Sequence, residues 1–286
     1  MKLRTLYIII LFPFLSNTGC AQTKPSTGKP VAVTVNKADS FFKFERAIPG
    51  NYIYINVDVL DNIYLITAGN QLKKLNSNGD SLAVFNDVKK YGNPSYIDVN
   101  NPLKILVYYK NYSTVVILDR LLTQRNTINL RKQNIFSVKA IATSYDNNIW
   151  VFDEQDLKLK KINEEGNLLL ESSDMRQLTD SVPSPQQIID NDNLVYLYDD
   201  KRGFYIFDYY GALKNTLPFL NWSDVAISGN RMMGFSGKKL YNYQLNSLNL
   251  KTYELPAMFR DYDAIKAVNG KVYLLKKDAV EIYSVQ

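Results

Sequence analysis

The sequence contains no histidine and a single cysteine among its 286 residues. Because Ser-His-Asp triads, Cys-His pairs and histidine-bound zinc, copper or haem need imidazole, those classes of protein are excluded. One cysteine also excludes an internal disulfide framework. The phosphate-binding P-loop, the GxGxxG fingerprint and the GxSxG elbow are absent from the sequence. The sequence therefore predicts no catalytic residues, no metal site and no cofactor, and a protein that is not an enzyme.

Like charges are not clustered, and long hydrophobic runs are scarce. The formal net charge is +6, with no block of five or six like charges, so we expect no nucleic-acid partner. Residues 5–15 form an apolar run that follows Lys2 and Arg4. This run is shorter than the ~20 residues that span a bilayer. The pattern is typical of a cleavable export signal, which we assign to residues 1–19.

Two cleavage positions are compatible with this signal. In the first, Cys20 follows a lipobox-like segment and becomes the acylated first residue, although Asn17 stands where leucine is usual. In the second, the mature chain begins at Gln22. The position of the lone cysteine directly after the signal favours lipidation of Cys20. Residues 20–30 are rich in Pro, Thr, Gly and Lys, and they predict a flexible tether with a reach of roughly 15–20 Å.

Residues 31–286 show short runs of Val, Ile, Leu, Tyr and Phe separated by Asn, Asp and Gly, which indicates strands and tight turns. Six copies of one unit align, spaced 37 to 46 residues apart, on Tyr64, Leu106, Trp150, Tyr196, Met233 and Tyr273. Such a period is typical of a β-propeller with one blade per copy. The sequence predicts an all-β fold: a single six-bladed β-propeller domain of four-stranded antiparallel blades.

The last unit ends one strand early, after residues 280–285. We expect an N-terminal strand to complete that blade and close the ring, because closure removes two open sheet edges. Residues 41–46 are the preferred candidate, and residues 31–35 are the second.

Two segments carry a family resemblance. Residues 61–82 and 146–168 repeat an Asn-Ile-aromatic strand followed by a Gly turn, and they resemble NHL-type six-bladed propellers. The resemblance covers most of 50–286 and implies the fold, whereas propellers serve many functions. The Gly-Cys-Ala-Gln sequence after a short signal is similar to exported lipoproteins of the Bacteroidetes. That likeness implies a lipoprotein on the periplasmic side of an outer membrane.

Such blades place their 1–2 and 3–4 turns on one face, here called the turn face. The 2–3 turns and the connections between blades lie on the other, here called the connection face. Charged loops of irregular length on the connection face predict partner contacts. The candidates are Asp153, Asp156, Asp199, Asp200, Arg202, Lys238, Lys239, Lys276 and Lys277. Together with the predicted anchor, the short tether and the missing catalytic residues, these loops suggest a non-enzymatic binding or scaffold subunit of an outer-membrane protein assembly. The resemblance to lipoproteins of the Bacteroidetes alone implies a more specific version, a plug or accessory of a type IX-like secretion translocon.

A glycan- or peptide-binding propeller is the alternative. Tyrosine-rich segments offer Tyr109, Tyr205 and Tyr210 as ligand contacts, although tyrosine is also a favoured strand residue. A third hypothesis is a carboxylate- or metal-dependent hydrolase or lyase, as in calcium-dependent lactonase propellers. It would use Asp58, Asp98 and Asp190 as oxygen ligands near the inner strands. Converging carboxylates at the ring axis would favour this enzyme, and a mixed lining would favour a scaffold.

Overall fold

A computed structural model describes residues 31–36, 42–259 and 261–285. The predicted signal, Cys20 and the tether lie outside the described residues. The first strands are β1 (Val31–Asn36), β2 (Phe42–Pro49), β3 (Tyr52–Val57), β4 (Ile63–Thr67), β5 (Leu72–Leu75), β6 (Ser81–Phe85), β7 (Tyr96–Asn101), β8 (Lys104–Tyr109), β9 (Thr114–Asp119), β10 (Gln124–Asn129), β11 (Val138–Thr143) and β12 (Ile149–Asp153). There follow β13 (Lys158–Ile162), β14 (Leu168–Glu171), β15 (Gln187–Asn191), β16 (Leu194–Asp199), β17 (Gly203–Asp208), β18 (Leu213–Leu217), β19 (Ser223–Ser228), β20 (Arg231–Ser236), β21 (Lys239–Gln244), β22 (Asn249–Glu254), β23 (Ala264–Val268), β24 (Lys271–Leu275) and β25 (Ala279–Val285).

Six sheets form the blades of a propeller, and each runs from an inner to an outer strand. Blades 1 to 5 are β3–β6, β7–β10, β11–β14, β15–β18 and β19–β22, and blade 6 is β23, β24, β25 and β2. Strands within these four-stranded sets pair antiparallel. The predicted six-bladed, all-β architecture is therefore confirmed. All six aligned anchor residues lie in the second strand of their blade.

The N-terminal strands do two different things. β2 pairs antiparallel with β25, from Phe42 opposite Val285 to Pro49 opposite Ala279, which confirms the preferred closing segment. β1 instead runs parallel to β22 on the outer edge of blade 5, with Val31 opposite Asn249. Blade 5 therefore has a fifth strand that the sequence did not predict. Because β22 starts at a 3–4 turn, β1 begins at the turn face.

The hydrophobic core lies between neighbouring blades. Trp150 of blade 3 is fully buried and belongs to a cluster with Ile188, Val195 and Phe207 of blade 4. Burying a large apolar side chain contributes about 1.5–3 kcal/mol, so the six interblade layers hold the ring together. The period-2 alternation of the strands places these side chains between the sheets.

Polar side chains on the inner strands also join the blades. Inner strands leave backbone groups unpaired towards the next blade, and buried backbone groups need partners. The bonds are Asn56 Nδ2 to Ile97 O (3.0 Å), Thr143 N to Asp98 Oδ2 (2.8 Å), Gln187 Nε2 to Val225 O (2.9 Å) and Ala267 N to Asp224 Oδ2 (2.9 Å).

Helices are minor elements of the described residues: α1 (Val88–Tyr91), α2 (Met175–Leu178) and two 3-10 segments, Lys110–Tyr112 and Leu130–Gln133. None of these helices has the length and apolarity needed to cross a membrane.

Candidate functional site

A cavity of about 600 Å³ opens on the turn face, between blades 2, 3 and 4. The 1–2 turns of these three blades and the 3–4 turn of blade 4 surround it. Five asparagines contribute to its lining: Asn100, Asn101, Asn147, Asn191 and Asn193. The Asx-rich turns of the turn face thus build a concave site, whereas the sequence predicts partner contacts only on the charged loops of the opposite face.

Asp190 is the structural centre of this site. Its Oδ2 accepts hydrogen bonds from Ser144 Oγ (2.9 Å), Trp150 Nε1 (2.9 Å) and the backbone N–H of Tyr145 (3.3 Å). Its Oδ1 accepts a bond from the Tyr209 hydroxyl. Burial and the hydrogen-bonded Asp190 carboxylate raise the pKa of Tyr209 well above its usual value, so this hydroxyl stays protonated and donates. Asp190 therefore fixes blade 3 to blade 4 at the cavity wall.

Two tyrosines form an aromatic surface here, called the tyrosine platform. The rings of Tyr145 and Tyr209 stack with centroids 4.5 Å apart and an interplanar angle of 5°. Tyr145 is nevertheless 66% exposed, so its other ring face is open to solvent. Lys161 Nζ lies 5.1 Å from the Tyr145 centroid and 4.9 Å from that of Trp150, and it forms an ion pair with Asp146. One face of the Tyr145 ring is thus packed against Tyr209, and the other face is exposed to solvent.

Unpaired polar groups lie beside the platform. Within the described part of the chain, the side chains of Asn100, Asp192 and Asn193 form no hydrogen bond with protein groups, and all three are exposed. Asn101 and Asn191 differ, because both bond to a turn of the neighbouring blade. The cavity therefore offers amide and carboxylate groups that a ligand can engage.

The inner strands surround the ring axis and have a mixed lining. Asp98 accepts the backbone N–H of Thr143, and Asp224 accepts a backbone N–H of blade 6 and forms an ion pair with Lys266. Burial raises the pKa of both carboxyl groups. Each of these carboxylates is therefore occupied by a bond to the neighbouring blade.

The three aspartates considered as metal ligands are not brought together. Asp58 closes its own turn by accepting the backbone N–H groups of Leu60 and Asn62, both at 2.9 Å. Asp98 and Asp190 serve different blade boundaries. In the part of the chain that the structure covers, no group of three or more acidic or cysteine side chains is placed to hold a metal ion.

Two of the predicted contact residues on the connection face are buried, which corrects their assignment. Asp153 is 0% exposed and pairs with Lys160 at 2.9 Å. Asp199 is 1% exposed and accepts the backbone N–H groups of Ser184 (2.7 Å) and Lys201 (2.8 Å). Both carboxylates stabilise loops of their own chain region, so a partner cannot reach them.

The other charged candidates lie on the 2–3 turns of blades 3 to 6. Asp156, Arg202, Lys238 and Lys277 are exposed, whereas Asp200, Lys239 and Lys276 are half-buried. Lys239 and Lys276 have ion-pair partners, Glu254 at 3.6 Å and Glu281 at 2.7 Å. These residues are distributed over four blades, so they form a rim and do not enclose a site.

Of the three tyrosines predicted as ligand contacts, two are buried and one is exposed. Tyr109 and Tyr205 are 3% and 5% exposed, and the Tyr205 hydroxyl donates to Ser181 O at 2.9 Å, so their assignment as ligand contacts is wrong. Tyrosine satisfies its hydroxyl while its ring fills the core. Tyr210 is 86% exposed on the turn face, outside the cavity lining. Sequence reasoning missed Tyr145, whose only signal is its place before an Asp-Asn-Asn turn.

Comparison with known proteins confirms the fold. No protein-family model matches the chain, and no curated protein matches its sequence. A streptogramin B lyase is 15% identical, with a TM-score of 0.58 over 82% of this chain and 79% of that one. Virginiamycin B lyase from Staphylococcus aureus is 13% identical, with a TM-score of 0.57 over 86% and 89%. The Cps50 (Swd1) β-propeller domain of Myceliophteria thermophila is 10% identical, with a TM-score of 0.59 over 86% and 100%. At these identities the likeness shows a β-propeller and no shared activity.

Proposed function

We propose that this chain is a non-enzymatic binding propeller whose ligand occupies the cavity on the turn face. The observation that carries the proposal is the combination of an open aromatic ring face with unpaired polar side chains in one concave site. Such sites combine apolar surface for affinity with a few polar groups for orientation. The two lyases among the similar structures share the fold only, so they supply no argument for catalysis.

The location of the protein is part of the same proposal. An export signal over residues 1–19 and acylation of Cys20 would hold the propeller on the periplasmic side of an outer membrane. The support is the charged and apolar pattern of the N-terminus and the position of the lone cysteine. Radiolabelled palmitate incorporation tests this. Wild type should be labelled, Cys20→Ala should not, and equal labelling of both would refute the anchor.

The binding proposal is tested by purifying the full-length tagged protein from crosslinked cell envelopes. Tyr145→Ala alters the platform, and Lys238→Glu with Lys277→Glu alters the opposite rim without touching the cavity. Bound molecules that are lost with Tyr145→Ala and retained with the double lysine variant would support the turn-face site. Bound molecules retained by Tyr145→Ala would contradict it.

The second candidate is a scaffold subunit that contacts an outer-membrane assembly through the connection face. The observation that favours it is the exposed rim of Asp156, Arg202, Lys238 and Lys277 on four successive blades. In the same experiment, a stoichiometric outer-membrane barrel lost with the lysine variant would support this candidate, including its secretion-translocon version. Recovery of the propeller alone would count against it.

A further inference from the structure

Building on the proposed binding function, we infer that the turn-face cavity binds a neutral carbohydrate, with one sugar ring lying against the open face of Tyr145. The cavity volume of about 600 Å³ falls within the ~300–1,000 Å³ of small-molecule sites. Four properties of the wall lead to this ligand class: the aromatic face, the free amides, the sign of the charges and the paired backbone of its turns.

The aromatic face is the primary contact. Aromatic rings have a negative face and attract the weakly positive C–H groups that one side of a sugar ring presents. Tyr145 is supported by Tyr209, whose hydroxyl is held by Asp190. A ring fixed in this way loses little conformational freedom on binding, which favours affinity.

The free polar groups match hydroxyls. An Asn side chain presents both a donor and an acceptor, and so does each hydroxyl of a sugar. Asn100 and Asn193 are exposed, and their side chains bond to no protein group among the described residues. Polar groups in this state bind water, and a sugar hydroxyl can replace that water while keeping its hydrogen bonds.

The charges argue for a neutral ligand. Among the residues that the structure describes, the cavity lining contains two carboxylates, Asp190 and Asp192, and no lysine or arginine, so an anion would be repelled. A cation is also disfavoured, because Lys161 already lies 5.1 Å and 5.8 Å from the two platform rings. Asp190 already accepts four hydrogen bonds from the protein. The other carboxylate, Asp192, is exposed, and an ion pair in solvent contributes little affinity.

A peptide is the competing ligand, and the backbone of the wall disfavours it. Extended peptides add to a free strand edge through main-chain hydrogen bonds. Here most of the wall consists of turns whose main-chain groups are already paired, such as Asn147 N with Ser144 O (3.0 Å) and Ser144 N with Asn148 O (2.8 Å). Thr143, an inner-strand residue of the wall, bonds its N–H to Asp98 at 2.8 Å. The wall therefore offers chiefly side chains to a ligand.

Isothermal titration calorimetry on the purified full-length protein tests the inference. The probes are neutral hexamers of N-acetylglucosamine, glucose and mannose, an acidic hexamer of galacturonic acid, and a pool of unstructured peptides. We expect at least one neutral hexamer to bind and the acidic one not to bind. Tyr145→Ala should weaken that binding by about tenfold or more, as for an aromatic contact at the centre of a site. Tyr145→Phe should keep binding within about threefold, because the ring remains.

Matched controls separate contact from folding. Tyr210→Ala removes an even more exposed tyrosine outside the cavity and should leave binding unchanged. All three tyrosine variants should remain fully folded at the temperature of the titration, which their unfolding curves check. Neutral-hexamer binding that is lost with Tyr145→Ala and kept with Tyr145→Phe and Tyr210→Ala would support the inference. To distinguish a free glycan from a surface polysaccharide, the same variants are titrated with the polysaccharide from purified envelopes.

Three outcomes would overturn the inference. Binding of peptides alone, lost with Tyr145→Ala, would refute the carbohydrate while leaving the turn-face binding function standing. Carbohydrate binding that survives Tyr145→Ala would refute both. Failure of every neutral hexamer and of the envelope polysaccharide to bind would refute the carbohydrate, and the envelope purification would still decide the binding function.

Discussion

Asp190 and Asp199 lie at opposite ends of neighbouring strands in blade 4, yet their carboxylates do different things. Asp199, on the connection face, bonds amides of its own turn and of the segment that leads into β15. Asp190, on the turn face, bonds three donors of blade 3 and one of its own blade. The first closes a local turn, and the second exists only because the ring brings two blades together. The turn-face cavity lies where the second kind of contact occurs.

The largest expected effect comes from removing the carboxylate that joins the two blades. Asp190→Ala leaves the Trp150 indole N–H and the Ser144 hydroxyl without their acceptor, so we expect a loss of about 3 kcal/mol in the free energy of unfolding. Urea denaturation followed by fluorescence measures it. Asp192→Ala is the matched control, exposed and unbonded, and should change stability by less than about 0.5 kcal/mol. Equal effects of the two variants would show that Asp190 does not join the blades.

Removing the local carboxylate should cost less. Asp199→Ala leaves the backbone N–H groups of Ser184 and Lys201 without acceptors, with an expected loss of about 2 kcal/mol. The loss should be confined to stability, so ligand binding at the turn face should be unchanged after correction for folded fraction. A reduced affinity in the folded Asp199→Ala protein would contradict the separation between the two faces.

Asp98 tests whether other carboxylates between blades tolerate neutralisation. Burial raises its folded pKa, so its contribution to stability is full below about pH 4 and is lost as the pH rises through the raised value. The amide introduced by Asp98→Asn would not titrate, and its oxygen can still accept from Thr143 N. We therefore expect Asp98→Asn to be stabilising relative to wild type at pH 7, by about 1 kcal/mol. The difference should shrink towards pH 4.

Guanidinium midpoints at pH 4, 5.5 and 7 follow this difference, with Asp192→Asn as the exposed control. A difference between Asp98→Asn and wild type that is constant over this pH range would refute a titrating Asp98.

The smallest effect is expected on the connection-face rim. Lys238→Glu and Lys277→Glu change exposed side chains, so each should alter the free energy of unfolding by less than about 0.5 kcal/mol. Neither should affect carbohydrate affinity. Differential scanning fluorimetry checks the stability, and the same titration checks the affinity. A loss of carbohydrate affinity would contradict a binding site on the turn face.

The sequence predicted the repeated blades of the fold. It did not predict the contacts between residues that are distant in the sequence. A period of 37 to 46 residues was enough for six blades, and the missing last strand was enough for closure by β2. It could not separate exposed from buried Asp and Tyr, because Asp153 and Asp156 look alike in the same loop. Nor could it find the Tyr145–Tyr209 pair, whose members are 64 residues apart and meet only through the ring.

The parallel strand β1 determines the face of the propeller on which the described chain begins. Val31 pairs with Asn249 beside the 3–4 turn of blade 5, so the chain enters the domain on the same side as the cavity. A lipid on Cys20, with ten residues between it and Val31, would hold that side towards the bilayer. A ligand would then be met at close range, as part of the surface to which the protein is attached. The protein would then search for its ligand in two dimensions. The density of the ligand on the surface would matter more than the concentration of the ligand in free solution.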